Sequence, residues 1–234
     1  MSKFWIRNVA ATPSVELGPG WNTHTLARNQ STRLGSLSAY YMSLDPGVEP
    51  HAPHEHDEHE LLVVHRGQLT LVHPEGDQPV GPGAVAYYPP GARHTCRGAD
   101  VEATRFFTLK WLAPTPRVPS DAPSRRVVMR LDQEPTLDTS PGPRRRAQPP
   151  IDLGQNLHLV VSQSAFGQGQ DFPVHAHEYD FLQLMLRGTL HGLGYAATAP
   201  AASYFAAGVM HGLSRPMPED SLHIDLEIHS AAAA

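Results

Sequence analysis

The chain has 234 residues, a formal net charge of −5, a pI near 6.3, 40% hydrophobic and 18% charged residues, and a mean hydropathy of −0.33. Such a length allows one large domain or two of about a hundred residues, and the composition excludes a disordered chain. The acidic balance leaves no electrostatic footprint for nucleic acid, and no apolar run reaches the roughly 18 residues of a membrane helix.

The start, MSKFWIRNVA, lacks the apolar core of a secretory signal. A single cysteine, Cys96, cannot form an intrachain disulfide, so the expected compartment is the cytoplasm. The 19 glycines and 23 prolines suit many turns joining short elements. Strand-length apolar or alternating segments then follow in order: 38–44, 60–64, 68–72, 84–88 and 104–111. Turn signals at Asp45-Pro46-Gly47, Pro74-Glu75-Gly76 and Gly81-Pro82-Gly83 separate them. No segment sustains a helical period, so the expected class is all-β.

From residue 113 to 150 the composition shifts to proline, with Pro114, Pro116, Pro119 and Pro123 opening the stretch and Pro149-Pro150 closing it. This predicts an inter-domain connection with one short strand at 126–131 and a solvated basic run, Arg144-Arg145-Arg146. It divides the chain into 1–112, 113–150 and 151–234. Strand-like segments resume at 157–162, 181–186 and 221–229. A shift of 121 places His175, His177 and Gly188 on His54, His56 and Gly67, and a shift of 117 places Gly208 and His211 on Gly91 and His94. One four-residue deletion reconciles the two shifts, so the chain reads as an internal duplication.

Chemistry concentrates at His54-Glu55-His56, Glu60 and Gly67, then Gly83, Pro89, Gly91 and His94. Residues two apart on a strand share a face, so His54 and His56 can point inward together, and a bend would also serve for Glu60. The turn at Pro89-Pro90-Gly91 can set His94 opposite them. Imidazoles with one carboxylate suit a divalent transition metal. These spacings resemble the two signature motifs of the cupin superfamily, H-x-H-x(3)-E-x(6)-G and G-x(5)-P-x-G-x(2)-H. The resemblance covers both halves and implies two tandem cupin domains, each an antiparallel β-barrel of jelly-roll type. The ligands it implies in the first domain are His54, His56, Glu60 and His94. Iron or manganese comes first, with nickel, copper, zinc and cobalt as alternatives.

The second half keeps His175, His177 and His211 as a possible second metal site, but Phe181 replaces the carboxylate and Ala206 the proline. Loss of a ligand charge and an added apolar ring predict weaker metal binding and a narrowed cavity there, leaving the chemistry to the first domain. Asp180, on regular strand parity, points away from His175 and His177. His51, Glu55, Asp57, Glu58 and His59 are expected in solvent, as is the polar face of the strand carrying His223, Asp225, Glu227 and His229. Tyr40, Met42, Leu62, Val64 and Arg66 share an inward parity. Arg66 and Arg93 are expected at the surface, and Cys96 as a small semi-apolar filler.

The functional expectation is a metal-dependent enzyme acting on a small oxygen-rich molecule. The resemblance implies first a non-haem dioxygenase. Next comes an isomerase, decarboxylase or lyase of a keto acid or sugar, in which Glu60 or a histidine moves a proton. A non-catalytic metal- or ligand-binding cupin is the remaining alternative. The expected partners are the small molecule and a second copy in a homodimer, since 61–64 and 182–186 look apolar on both faces.

Overall fold

The computed structural model describes residues 3–112, 127–134, 150–154 and 157–230, together with the backbone of 136–139 and 142–146. The chain opens with β1 (Phe4–Asn8) and a 3-10 turn at Val9–Ala11. Then come β2 (Ser14–Gly18), β3 (Trp21–Thr32), β4 (Gly35–Leu44), β5 (His59–Arg66) and β6 (Leu69–Val72). They are followed by β7 (Gln78–Val80), β8 (Ala84–Tyr88), β9 (Thr95–Gly98), β10 (Thr104–Leu112) and β11 (Val127–Arg130). After a second 3-10 turn at Leu131–Gln133 come β12 (Thr136–Thr139), β13 (Gly142–Arg146), β14 (Ile151–Gly154), β15 (Leu157–Phe166) and β16 (Asp180–Arg187). The chain ends with β17 (Thr189–Gly192), β18 (Tyr195–Thr198), β19 (Ala201–Phe205) and β20 (Ser221–Ser230). The fold is all-β and its strand pairs are antiparallel. No helix among the described residues is long and apolar enough to cross a membrane.

Two compact units emerge, and their boundaries differ from the division read in the sequence. One is 12–130; the other joins 1–11 to 131–234. The reason lies in strand pairing. β1 hydrogen-bonds to β19 in the sheet β1-β19-β16-β20-β15-β13-β12 of the C-terminal unit. β11, close to the strand expected at 126–131, pairs with β8 in the sheet β11-β8-β5-β10-β4-β3-β2 of the N-terminal unit. The expected connection is therefore partly sheet, because β12 and β13 form a hairpin that continues onto β15. The prolines at 114–123 and the side chains of Arg144–Arg146 lie outside the described residues.

The strand pairing of one unit repeats in the other. β4, β5, β8 and β10 pair with one another as β15, β16, β19 and β20 do. Met42, Leu62, Val64 and Phe106 belong to the apolar core of the N-terminal unit, with Cys96 among them as a filler. Tyr40 is half-buried, and Arg66 and Arg93 are exposed. Leu61, Val63, Leu182 and Leu184 are buried within the single chain.

Two of the motif glycines, Gly67 and its counterpart Gly188, have a steric cause. Gly67 has φ 71°, and a Cβ added there would meet Ala103 O at 2.8 Å; Gly188 has φ 91°, and its added Cβ would meet Asp220 O at 2.7 Å. Gly67→Ala and Gly188→Ala should each lower the unfolding free energy by about 2 kcal/mol or more. Gly81→Ala, with nothing within 4 Å, should change it by less than about 0.5 kcal/mol. Denaturant midpoints of the three variants check this.

Candidate metal centres and their cavity

The histidines are positioned by backbone pairing outside the long strands. His54 and His94 form an isolated antiparallel bridge, with N–H···O distances of 3.1 and 3.0 Å, and the Gly91 N–H donates to His56 O at 2.9 Å. The same pattern recurs between His175 and His211, both bonds 2.8 Å, and between Gly208 N–H and His177 O, 2.8 Å. His54 and His56 thus converge through a bridge and a bend, rather than along a continuous strand as parity suggested; β5 begins only at His59.

In the N-terminal unit the four residues of the motif come together. Ligand atoms of His54, His56 and His94 lie within 4.8 Å of one another. Glu60 Oε2 is 2.8 Å from His56 Nε2, 3.1 Å from His94 Nε2 and 3.3 Å from Lys110 Nζ. Burial would push the Glu60 carboxyl up, but the bonds from His56 and His94 and the charge of Lys110 outweigh it and hold the group well below the usual range. His56 Nδ1 faces Glu58 O at 2.9 Å and His94 Nδ1 faces Ala92 O at 2.8 Å. Both rings therefore face acceptors on both nitrogens, and a cation among the two Nε2 atoms and Oε2 would take the place of the Nε2 protons. The donor set, imidazole nitrogens with one carboxylate oxygen, fits a divalent metal. Burial and neighbouring imidazoles push His54 down to about 4, leaving it in the neutral, ligating form.

The C-terminal set is built from nitrogen alone. Ligand atoms of His175, His177 and His211 also lie within 4.8 Å of one another. His175 and His177 meet Nε2 to Nε2 at 3.1 Å. Two ligands at right angles on a metal, with bonds of about 2.1 Å, would stand about 3.0 Å apart. His175 Nδ1 donates to Pro173 O and His211 Nδ1 to Val209 O, both 2.9 Å, which turns each Nε2 lone pair toward the cluster. The Nε2 of His211 is buried with no protein partner. Burial lowers its pKa, keeping the ring neutral. These residues also fit a metal. Phe181 fills the carboxylate position and stacks near His211, at 5.5 Å and 15°.

A cavity of about 310 Å³ opens beside this three-histidine set. The expectation of a narrowed second interior is thereby corrected, although Phe181 does line it. The register explains the space. Where the N-terminal unit has Met42, Leu62, Phe106 and Thr108, the matching positions here are Ser164, Gln183, His223 and Asp225. All four line the cavity.

The polar face of β20 is accordingly buried, not solvated. His223 and Asp225 are each 2% exposed, and Glu227 is buried with His229 Nε2 at 3.0 Å. Ser164 Oγ donates to Asp225 Oδ2, and Gln183 Nε2 donates to Oδ1 at 3.2 Å. Neither ring nitrogen of His223 has a protein hydrogen-bond partner, an arrangement costing about 1–3 kcal/mol. The alternation along β20 carried this signal; what it lacked was which face met the interior. Another correction concerns His59, which is buried, hydrogen-bonded to Tyr87 OH at 2.7 Å and stacked on Trp111. Asp180 does turn away from the histidines, accepting from Tyr204 OH at 2.8 Å and Ala207 N–H at 3.0 Å.

Comparison of the sequence with curated proteins finds no match. The fold is similar to that of AerE from Microcystis aeruginosa, with TM-score 0.74 and 15% identity over 98% of this chain and 100% of that one. It is also similar to Ylba from E. coli, with TM-score 0.73 and 15% identity over 99% and 93%. A variant oxalate decarboxylase from Bacillus subtilis aligns with TM-score 0.67 and 15% identity over 96% and 78%. Residues 40–110, which hold His54, His56, Glu60 and His94, match the cupin domain family. The chain therefore resembles cupin domains over residues 40–110, within an all-β fold similar to that of these solved structures.

Proposed function

We propose that the protein is a metal-dependent enzyme of two tandem cupin barrels whose reaction takes place in the C-terminal unit. One observation carries this reading: His175, His177 and His211 converge on the wall of a 310 Å³ cavity, and His211 Nε2 has no protein partner. A divalent metal held by three neutral imidazoles, iron or manganese first, would supply full Lewis-acid polarisation of a substrate oxygen. Asp225, oriented by Ser164 and Gln183, takes a proton from the substrate. Phe166, Phe172 and Phe205 exclude water from that end of the cavity. Glu60, engaged by His56, His94 and Lys110, acts as a ligand and charge anchor, and the proton-moving role passes to Asp225.

This arrangement favours an isomerase or lyase acting on a hydroxy- or keto-compound. A dioxygenase is the second reading, favoured by the complete set His54, His56, Glu60 and His94 in the N-terminal unit. The deciding experiment is elemental analysis of protein purified without a tag, then turnover screening with and without O₂. Turnover indifferent to O₂ supports the first reading, and O₂ uptake matching product replaces it with the second. A full chain that retains no metal after loading overturns both.

A further inference from the structure

Three neighbouring strands bring unlike chemistry to one wall of the C-terminal cavity. Ser164 of β15 stands opposite His223 of β20, and Gln183 of β16 opposite Asp225. Asp225 is fixed by Ser164 and Gln183, while His223, equally buried, offers an N–H and a lone pair with no protein partner. The matching position in the N-terminal unit holds Phe106, packed in the core. An aromatic hydrocarbon can thus fill such a site, and histidine there leaves polar atoms free for a ligand. The rest of the wall is largely apolar and aromatic, with Phe166, Phe172, Leu190, Tyr195 and Met217.

The charges around the cavity narrow the ligand. Among its lining residues there is one carboxylate, Asp225, and no lysine or arginine, so an anionic group placed beside Asp225 meets repulsion and no side-chain counter-charge. An ammonium group would share the cavity with a metal-binding set of three imidazoles. An uncharged hydroxyl fits both partners at once, since it donates one hydrogen bond and accepts others.

We propose that His223 and Asp225 recognise an uncharged hydroxyl group on a flat, apolar or aromatic ligand, the hydroxyl donating to Asp225 and accepting from His223. The assignment rests on the reading that His175, His177 and His211 form the reactive centre, and it names the substrate group that meets Asp225, the proton acceptor of that reading.

The test uses four one-ring probes, benzyl alcohol, toluene, benzoate and benzylamine, titrated by NMR or calorimetry into the full chain. Metal-loaded and chelator-stripped protein are both measured. Benzyl alcohol should bind at least about tenfold more tightly than the other three. His223→Phe, which copies Phe106, and Asp225→Thr, which copies Thr108, should each remove most of that preference while toluene still binds. Metal content should remain at the parent level in both. Tighter binding of benzoate or benzylamine, equal binding of toluene, no binding of benzyl alcohol, or a preference that survives both substitutions overturns the proposal. The preference should persist in stripped protein, because neither residue is a proposed ligand. Loss of metal binding by the parent chain would thus overturn the metal reading and leave this one standing.

Discussion

His211→Ala should leave the chain about one metal equivalent short and turning over at background. His94→Ala should lose the N-terminal metal and keep turnover within about tenfold of the parent. The asymmetry follows from what surrounds each set. His211 is one of three nitrogen donors, its ring held by Val209 O and by stacking on Phe205 at 4.5 Å. Removal of an outer hydrogen-bond partner alone costs about 10- to 100-fold in metal affinity, so loss of one ligand in three should cost at least about 100-fold. On the proposed reading, a substrate in the adjoining cavity then loses the group that polarises its oxygen. His94 sits beside an interior occupied by Leu62, Val64, Tyr88 and Phe106, where the matching C-terminal positions include Gln183 and His223. Elemental analysis and turnover of both variants, with thermal melts to show that each folds, check the expectation. Turnover abolished by His94→Ala and kept by His211→Ala would place the reaction in the N-terminal unit.

Much of the architecture was legible because apolar alternation is local. β10, with Phe106, Phe107, Leu109 and Trp111, and β8, with Val85, Tyr87 and Tyr88, announce themselves as strands. β19, Ala201-Ala202-Ser203-Tyr204-Phe205, does not, since alanine and serine carry little strand preference and its existence depends on pairing with β1 and β16. β1 itself pairs with a strand almost 200 residues away, which no window of sequence can show. The motif histidines were legible by spacing, although bridges to His94 and His211 position them rather than strand parity. The cavity was not. Period-two alternation tells which residues of β20 share a face, and only the assembled sheets decide whether that face meets water or an interior. Phe181 reads as an obstruction, while the space comes from Ser164 and Gln183, residues with no motif around them.

Stability should fall as the pH drops from about 6.5 toward 4, and His223→Phe should remove a large part of that fall. Burial pushes His223 down to about 4 in the folded chain, with the opposing pull of Asp225 too weak to restore it. In the unfolded chain the ring titrates near its ordinary 6.5. Above pH 6.5 both states carry a neutral ring, and the group contributes no pH dependence. Between 6.5 and 4 the unfolded state binds the proton first, so protonation draws the equilibrium toward unfolding. At pH 4 the gap amounts to about 3 kcal/mol, at 1.36 kcal/mol per pH unit. His59, also buried and pushed down to about 4, first by burial and then by His56, adds a contribution of the same sign in the N-terminal unit. A phenylalanine at position 223 cannot take the proton and leaves no unpartnered ring nitrogens, so the variant should be at least as stable as the parent at pH 7. Its advantage should grow by about 2–3 kcal/mol on going to pH 4.5. Denaturant unfolding of both chains at the two pH values measures the difference. An advantage that stays constant between them would mean that the ring is already protonated, or already solvated, in the native protein.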